Sequence, residues 1–372
     1  MSATGCPDRA FLPTVASMTI SRSHAPAVAG AAGTPVASSR GTALTVQQTA
    51  RPTGFPTPEH FRFVESPVPR PAPGTALVEN LYWSVDPYHR EMMDGDFALG
   101  APLEGRALGR VTESRDPALP EGEVVFHRQG WRTHSVVRPA EARRLPHLDG
   151  VPLSAHLSLL GGTGLTAYAG LTRVARLREG EDVFVSAAAG GVGTATGRLA
   201  RVMGAGRLVG SAGSPEKVRY LTERVGYDAA FDYRAGPAAR LLAEAAPDGV
   251  DVFVDNVGGD QLGAAIGALR RRGRVVRVGT VGQYNVTDAP PVLFDHADVV
   301  EKSLRIEGFL VRDHLELQDE LYAFAVPHLR SGRLALDETV VDGFGRIVEA
   351  FLSMLRGGNT GKMIVRATDA CA

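Results

Sequence analysis

The spacing of apolar positions changes along the chain. From about residue 46 to 150, short apolar runs at 76–82, 123–126 and 133–137 are broken by Pro- and Gly-rich clusters and read as strands. From about 155 to 310 the apolar runs become nearly continuous, at 182–187, 207–211, 250–254, 274–278 and 304–309. Helical stretches such as 192–203 and 215–225 separate them. Strands that are apolar throughout and alternate with helices predict a parallel sheet covered on both faces. Residues from about 311 to 372 add two helical stretches and a final strand at 362–366. They are expected to pack back onto the first β-rich part. The predicted architecture is α/β, with one discontinuous domain (46–155 and 311–372) and one continuous domain (156–310).

Residues 1–45 have no apolar period, are rich in Ala, Ser, Thr, Pro and Gly, and hold Asp8 as their one acid. A disordered tail is expected there. A transit peptide is the alternative, disfavoured because no amphipathic Arg-bearing helix stands out.

Composition narrows the function. A chain of 372 residues exceeds a single core, in keeping with two domains. With 44% hydrophobic and 22% charged residues and a net charge of −1, nothing points to nucleic acid or a membrane surface. No apolar run approaches the ~20 residues of a membrane span, so a cytoplasmic location is expected. Cys6 and Cys371 both lie in terminal tails, which excludes a disulfide framework and a Cys-held zinc inside the fold. Among many arginines the only lysines are Lys217, Lys302 and Lys362, each a candidate site where an ammonium suits better than a guanidinium.

The sharpest local signal runs from Asp182 to Gly193: an apolar strand, a small-residue turn through Ala187, Ala189, Gly190, Gly191, Val192 and Gly193, then a helix with an apolar stripe at Val192, Ala195, Leu199 and Val202. Small residues let the backbone approach a pyrophosphate, and the helix start offers free N–H groups and the positive dipole end. A plain tight strand–helix junction is the alternative, but the alternating strands and helices favour a dinucleotide. An NAD site would carry an acid about 20 residues further on. This chain instead reads Gly213-Ser214-Pro215-Glu216-Lys217. Ser214 and Lys217 suit a 2′-phosphate. Ser214 also fits as an N-cap before Pro215, a compatible role. Lys217 on a solvated helix face is the alternative.

These segments resemble the zinc-independent medium-chain dehydrogenase/reductases, in particular the prostaglandin reductase (leukotriene B4 dehydrogenase) and alkenal double-bond reductase group. The resemblance spans about residues 46–367. It is carried by Asn80-Leu-Tyr-Trp-Ser-Val-Asp-Pro-Tyr-His-Arg90, Gly164-Leu-Thr-Ala-Tyr168, Ser186-Ala-Ala-Ala-Gly-Gly-Val-Gly193, Gly213-Ser-Pro-Glu-Lys217, Phe253-Val-Asp-Asn-Val-Gly-Gly259, Gly282-Gln-Tyr-Asn285 and Gly358-Asn-Thr-Gly-Lys362, in the family's order. It implies a GroES-like, partly open β-barrel domain and a Rossmann domain with the active site between them, NADPH as cofactor, no metal, and a homodimer. It implies that Lys217 and Tyr233 contact the adenosine phosphate end, that Asn256 lines the cofactor cleft, and that Asn359 lies near the nicotinamide. Tyr284 matches the tyrosine that binds the substrate carbonyl, and Tyr88 a substrate-pocket position. The chain departs from the family in having Gly162-Thr163 for Met-Pro, His89 for Met and Thr360 for an apolar residue. His89 is therefore expected to line and reshape the pocket.

The implied chemistry is conjugate hydride transfer to an α,β-unsaturated ketone or aldehyde. Negative charge then develops on the carbonyl oxygen, and Tyr284 is the candidate donor to it. An aromatic that merely packs on the cofactor is the alternative for Tyr284. His127 and His134 are expected to be structural or exposed, Asp86 to support a turn before Pro87, and Tyr168 and Asn285 to be structural. The run Arg270-Arg271-Arg272 is expected at a helix end, placed by dipole and C-cap. Competing functions are a quinone reductase, a pathway-specific enoyl reductase, and a non-enzymatic NADPH-binding sensor. Near-neutral charge disfavours an RNA-binding relative.

Overall fold

The computed structural model describes residues 41–288 and 290–368. The expected tail up to residue 40 lies outside them. Strand β1 (Thr42–Gln48) pairs antiparallel with β2 (Phe61–Pro67). Residues 42–45 are therefore strand and not tail, because Leu44 and Val46 are buried in the first core. Strand β3 (Ala76–Ser84) is followed by the short helix α1 (Tyr88–Met92) and by β4 (Ala107–Ser114), β5 (Val124–His127), β6 (His134–Val137) and β7 (Ala142–Arg144). These strands are short and interrupted by glycine turns, so they pair locally and antiparallel.

The second half is a parallel sheet. Helix α2 (Gly162–Ala169) leads into β8 (Val183–Val185), α3 (Gly191–Val202), β9 (Leu208–Ala212), α4 (Pro215–Tyr220), β10 (Ala229–Asp232), α5 (Ala238–Ala245), β11 (Val250–Asp255), α6 (Gly259–Ala268), β12 (Leu269–Arg277), α7 (His296–Glu301) and β13 (Arg305–Gly308). The strand order is β10-β9-β8-β11-β12-β13. This is the doubly wound order, in which the strand direction of travel reverses between β8 and β11 and opens a crevice at their carboxyl ends. The apolar strands follow from two buried faces. Val183, Val185, Val252 and Val254 join one core, while Phe184 and Phe253 stack in the other with ring centroids 4.8 Å apart.

The last segment divides between the two sheets. Helix α8 (Gln318–Arg330) places Leu321, Ala325 and Val326, with Leu317 before it, in the core that holds Leu165 and Val185. The early part of 311–372 thus packs its buried stripe on α2 of the parallel-sheet layer, while Tyr322 and Arg330 reach the first domain as expected, at Arg143 and Asp149. Strand β14 (Glu338–Asp342), α9 (Ile347–Leu355) and β15 (Lys362–Arg366) do return: β15 pairs with β3 and extends the first sheet to seven strands. The arginine run also differs from expectation. Helix α6 ends at Ala268, and Arg270–Arg272 lie in β12. Arg270 is held there by Asp182 and Asp251, both at 2.7 Å, while the carbonyl of Gly267 at the helix end is capped by Lys302 Nζ at 2.7 Å. No helix among the described residues is long and apolar enough to cross a membrane.

Strand β15 is fastened by charge as well as by the ladder. Lys362 is 4% exposed, and its three N–H bonds have three acceptors: Val85 O at 2.5 Å, Met363 O at 2.9 Å and Asp86 Oδ1 at 3.1 Å. Asp86 is 5% exposed and also meets Ser84 Oγ at 2.6 Å and Arg106 Nη1 at 3.3 Å. Burial alone would raise its pKa, but Lys362, Arg106 and the Ser84 hydroxyl hold the carboxyl far below the usual range. Replacing one member strands the other charge. We expect Lys362→Met to lower stability in urea by about 3 kcal/mol, and Lys362→Met with Asp86→Leu to cost less than the sum of the two single changes. Additive losses would mean that the two groups do not act as a pair.

Candidate active site

The loop after β8 sits at the reversal point of the sheet. Gly190 N is bonded to Ala187 O and Thr194 N to Gly190 O, both at 2.9 Å. The N–H groups of Gly191, Val192 and Gly193 are the ones a helix start leaves free for an anion. Gly193 is required by contact: a Cβ there would sit 2.5 Å from Ala187 O and Ala188 O, so helix and strand could not approach. Ala187 itself takes a positive φ of 47° to make the turn. Ala189 is buried, and its carbonyl accepts Gly361 N at 2.8 Å, one contact of a parallel bridge between Gly190 and Gly361. This bridge brings Asn359 to the loop, where its Nδ2 donates to Gly361 O at 2.7 Å. Asn256, at the end of β11, donates from Nδ2 to Ser186 O at 2.8 Å, so it lines the other side of the same crevice.

A second group of residues assembles beyond β9. Ser214 Oγ caps α4 by accepting Lys217 N at 3.3 Å. The ring of Tyr233 packs on Gly213, within 3.1–3.4 Å of where a Cβ would stand, and Arg234 lies 5.6 Å over that ring. Burial and then the neighbouring Arg234 charge lower the pKa of Lys217. Among the described residues neither cation has an ion-pair partner. Lys217 is partly buried and Arg234 exposed, so one cation is partly desolvated with a second beside it. Arg234 was not picked out from the sequence. Its signal was its place directly after Tyr233 at a strand end.

On the facing sheet, α1 carries Tyr88, which is half-buried under the Arg106 guanidinium at 5.2 Å, with its hydroxyl 3.4 Å from Glu104 Oε1. Burial raises its pKa well beyond the ordinary phenol value. Arg106 and Glu104 have no motif that would have revealed them. His89 is not in the pocket as expected. It is 1% exposed and packed among Trp131, Phe97 and Phe351, with the half-buried Tyr88 ring beside it at 4.5 Å. Neither ring nitrogen has a hydrogen-bond partner, and burial pushes its pKa down to about 3. His127 is structural, with Nε2 2.8 Å from Asn80 Oδ1, and Tyr168 is tied to Glu320 at 2.7 Å. Asp86 does more than support a turn, as its contacts with Lys362 and Arg106 show.

Tyr284 lies on the turn after β12. Val281 N bonds Asn256 O at 3.1 Å, which ties this turn to the end of β11. Burial, and next the Glu91 carboxylate on α1, raise the pKa of its phenol, so it stays protonated as a donor must. Among the described residues no cluster of His, Cys, Asp or Glu has the makings of a metal site.

With this geometry in hand, comparison with known proteins is decisive. The family described as the N-terminal domain of oxidoreductase matches residues 45–145, and the family described as zinc-binding dehydrogenase matches 191–327. Prostaglandin reductase 1 of Rattus norvegicus is 37% identical over 84% of this chain and 96% of its own length. The NADP-dependent 2-alkenal reductase of Nicotiana tabacum is 37% identical over 78% of this chain and 86% of its own. The chain belongs to the medium-chain dehydrogenase/reductases, in the group of prostaglandin and alkenal reductases. CurA of Vibrio vulnificus, solved with NADPH, superposes with a TM-score of 0.81 at 30% identity, covering 87% of this chain and 99% of that one. As a member of this family the chain pairs a GroES-like domain with a Rossmann domain, as the strand orders show.

The depressed pKa of His89 has a measurable consequence. Below its ordinary value of 6.5 the unfolded chain takes up a proton that the folded chain refuses until about pH 3. Stability therefore falls as pH drops through that window. We expect His89→Met to reduce the stability difference between pH 7 and pH 5 by about 2 kcal/mol in urea titrations. An unchanged difference would place the proton elsewhere.

Proposed function

We propose that this protein reduces the carbon–carbon double bond of α,β-unsaturated ketones and aldehydes with NADPH and without zinc. The observation that carries this reading is the protonated Tyr284 phenol on a turn bonded to Asn256, at the edge of the crevice that begins at Gly190–Gly193. The residues present fit the cofactor. The glycine turn admits a pyrophosphate, and Lys217 and Arg234 have no acid of their own to satisfy, as a 2′-phosphate requires. When bound, the reduced nicotinamide supplies the hydride.

The chain's own groups do the rest. Asn256 and Asn359 border the crevice from opposite walls, and Tyr88 shapes the substrate side. Tyr284 donates a hydrogen bond to the carbonyl oxygen as it gains negative charge, a donor in place before the reaction begins. Absence of zinc is supported by the lack of any cysteine between 7 and 370. The relatives named above are NADP-dependent or act on alkenals and prostaglandins by name, which supports the same chemistry. We take the working form to be a cytoplasmic homodimer, as the family resemblance implies.

Two measurements test the reading. Oxidation of NADPH by a panel of enones, with NADH in parallel, should favour NADPH strongly. Lys217→Ala should lower that NADPH-to-NADH ratio in kcat/KM about tenfold to a hundredfold, the scale of one or two charge-assisted hydrogen bonds. A ratio that does not move would remove Lys217 from the phosphate site. Tyr284→Phe should lower kcat/KM for enones about tenfold to a hundredfold without abolishing turnover. Full activity in that variant would leave Tyr284 as a packing aromatic.

A further inference from the structure

The turn that carries Tyr284 decides what its hydroxyl meets. The N–H groups of Val278 and Gly279 both go to Asp255 O, at 2.8 and 3.3 Å, so the end of β12 is fixed against β11. The chain then reverses. Gln283 N bonds Thr280 O at 2.8 Å, and Val286 N bonds Gln283 O at 3.1 Å. Reversal brings Tyr284 back over the residues that open the turn. Its oxygen lies 3.8 Å from where a Cβ would stand on Gly279, and Asn256 O lies 3.5 Å from the same point. The phenol oxygen therefore borders the crevice that Asn256 lines.

Thr280 meets that oxygen twice. Its backbone N–H and its side-chain hydroxyl are both hydrogen-bonded to the phenol, and both oppose the rise in pKa that burial and the Glu91 carboxylate cause. Groups that act in that direction donate to the oxygen, because they favour its negative form. Among the described residues no carbonyl takes the Thr280 N–H, which leaves it for this bond.

A phenol oxygen has two acceptor positions and one proton to give. Thr280 fills the acceptor side. Among the described residues nothing accepts the Tyr284 proton. The proton is left to point away from Thr280, where a ligand in the crevice can take it. Hydrogen bonds in a chain also polarise one another, so a phenol that accepts from Thr280 is a stronger donor. A donor held before charge develops on a carbonyl oxygen needs no reorientation when it does.

We propose that Thr280 is a positioning residue: its hydroxyl holds the Tyr284 oxygen and turns the Tyr284 proton toward the carbonyl of the bound enone. This rests on the reading of Tyr284 as the donor to that carbonyl and deepens it. Thr280 itself does not touch substrate, and it acts only through the bond it gives Tyr284.

The test uses the full chain with NADPH and the enone that the wild type reduces fastest. Thr280→Val removes the hydroxyl but keeps the branched shape and the N–H. It should lower kcat about threefold to tenfold and leave KM for NADPH unchanged, the scale of one hydrogen bond. Thr280→Ser restores the hydroxyl and should stay within about twofold of wild type. Thr280→Ala should repeat the loss and carries the test if Thr280→Val folds poorly. In a Tyr284→Phe background Thr280→Val should cost nothing further, because no phenol oxygen is left to hold. A loss of the same size in that background overturns the proposal. So does a loss that Thr280→Ser shares, or one that appears only in KM for NADPH. Full kcat in Thr280→Val and Thr280→Ala, beside a slowed Tyr284→Phe, overturns it and leaves the Tyr284 reading standing. Full kcat in Tyr284→Phe removes the donor itself and overturns both.

Discussion

The three N–H bonds of Lys362 go to Val85 O, Met363 O and Asp86, and through them the last strand of the chain is locked to the first sheet. The residue just before that strand, Gly361, donates its N–H to Ala189 O in the dinucleotide loop. Two consecutive residues, Gly361 and Lys362, therefore touch both halves. A buried ion pair is a poor source of net stability, because desolvation consumes most of the Coulombic gain. Its use here is placement. A hydrophobic pair would bury as well but would not require Lys362 to meet Asp86 and so would not set the height of Gly361 against the loop.

A second tie runs parallel to it. Asp337, 7% exposed, receives the Arg198 guanidinium from α3 and the Tyr220 hydroxyl from the end of α4, while its carbonyl accepts Lys362 N at 2.8 Å. The helix that presents its N-terminus to the cofactor is thus held at its middle by the segment that enters β15. Asp86 extends the arrangement to Arg106 and the substrate side of the cleft. One connected set of charges positions the dinucleotide loop, the strand that closes over it and the cation above Tyr88.

Much of the fold was legible from apolar spacing. The parallel-sheet strands bury both faces, so they stand out as continuous runs, and the glycines of 190–193 mark a helix start pressed against a strand. Lys217 and Tyr233 were visible as motifs, and each stands next to Arg234. The errors have a common cause. The run at 270–272 looked like a helix end because charge beside glycine fits a C-cap, yet Asp182 and Asp251, distant in sequence, draw Arg270 into a strand. Helix α8 was placed with its neighbours in sequence, whereas its stripe faces α2. His89 was expected in the pocket because it stands where the family has Met, but its ring is enclosed by Trp131, Phe97 and Phe351, which come from distant segments.

By itself the sequence determined the classes of element, the dinucleotide turn and the exclusion of an interior cysteine site, because each depends on neighbours within a few residues. Only the tertiary structure decided that His89 enters the core while Tyr88 stays half-buried against Arg106, and that Arg234 stands beside Lys217. Those facts depend on contacts between segments up to 277 residues apart, as from Lys362 to Val85. Burial and pairing of a charge are properties of its surroundings, and the linear order of residues does not contain them.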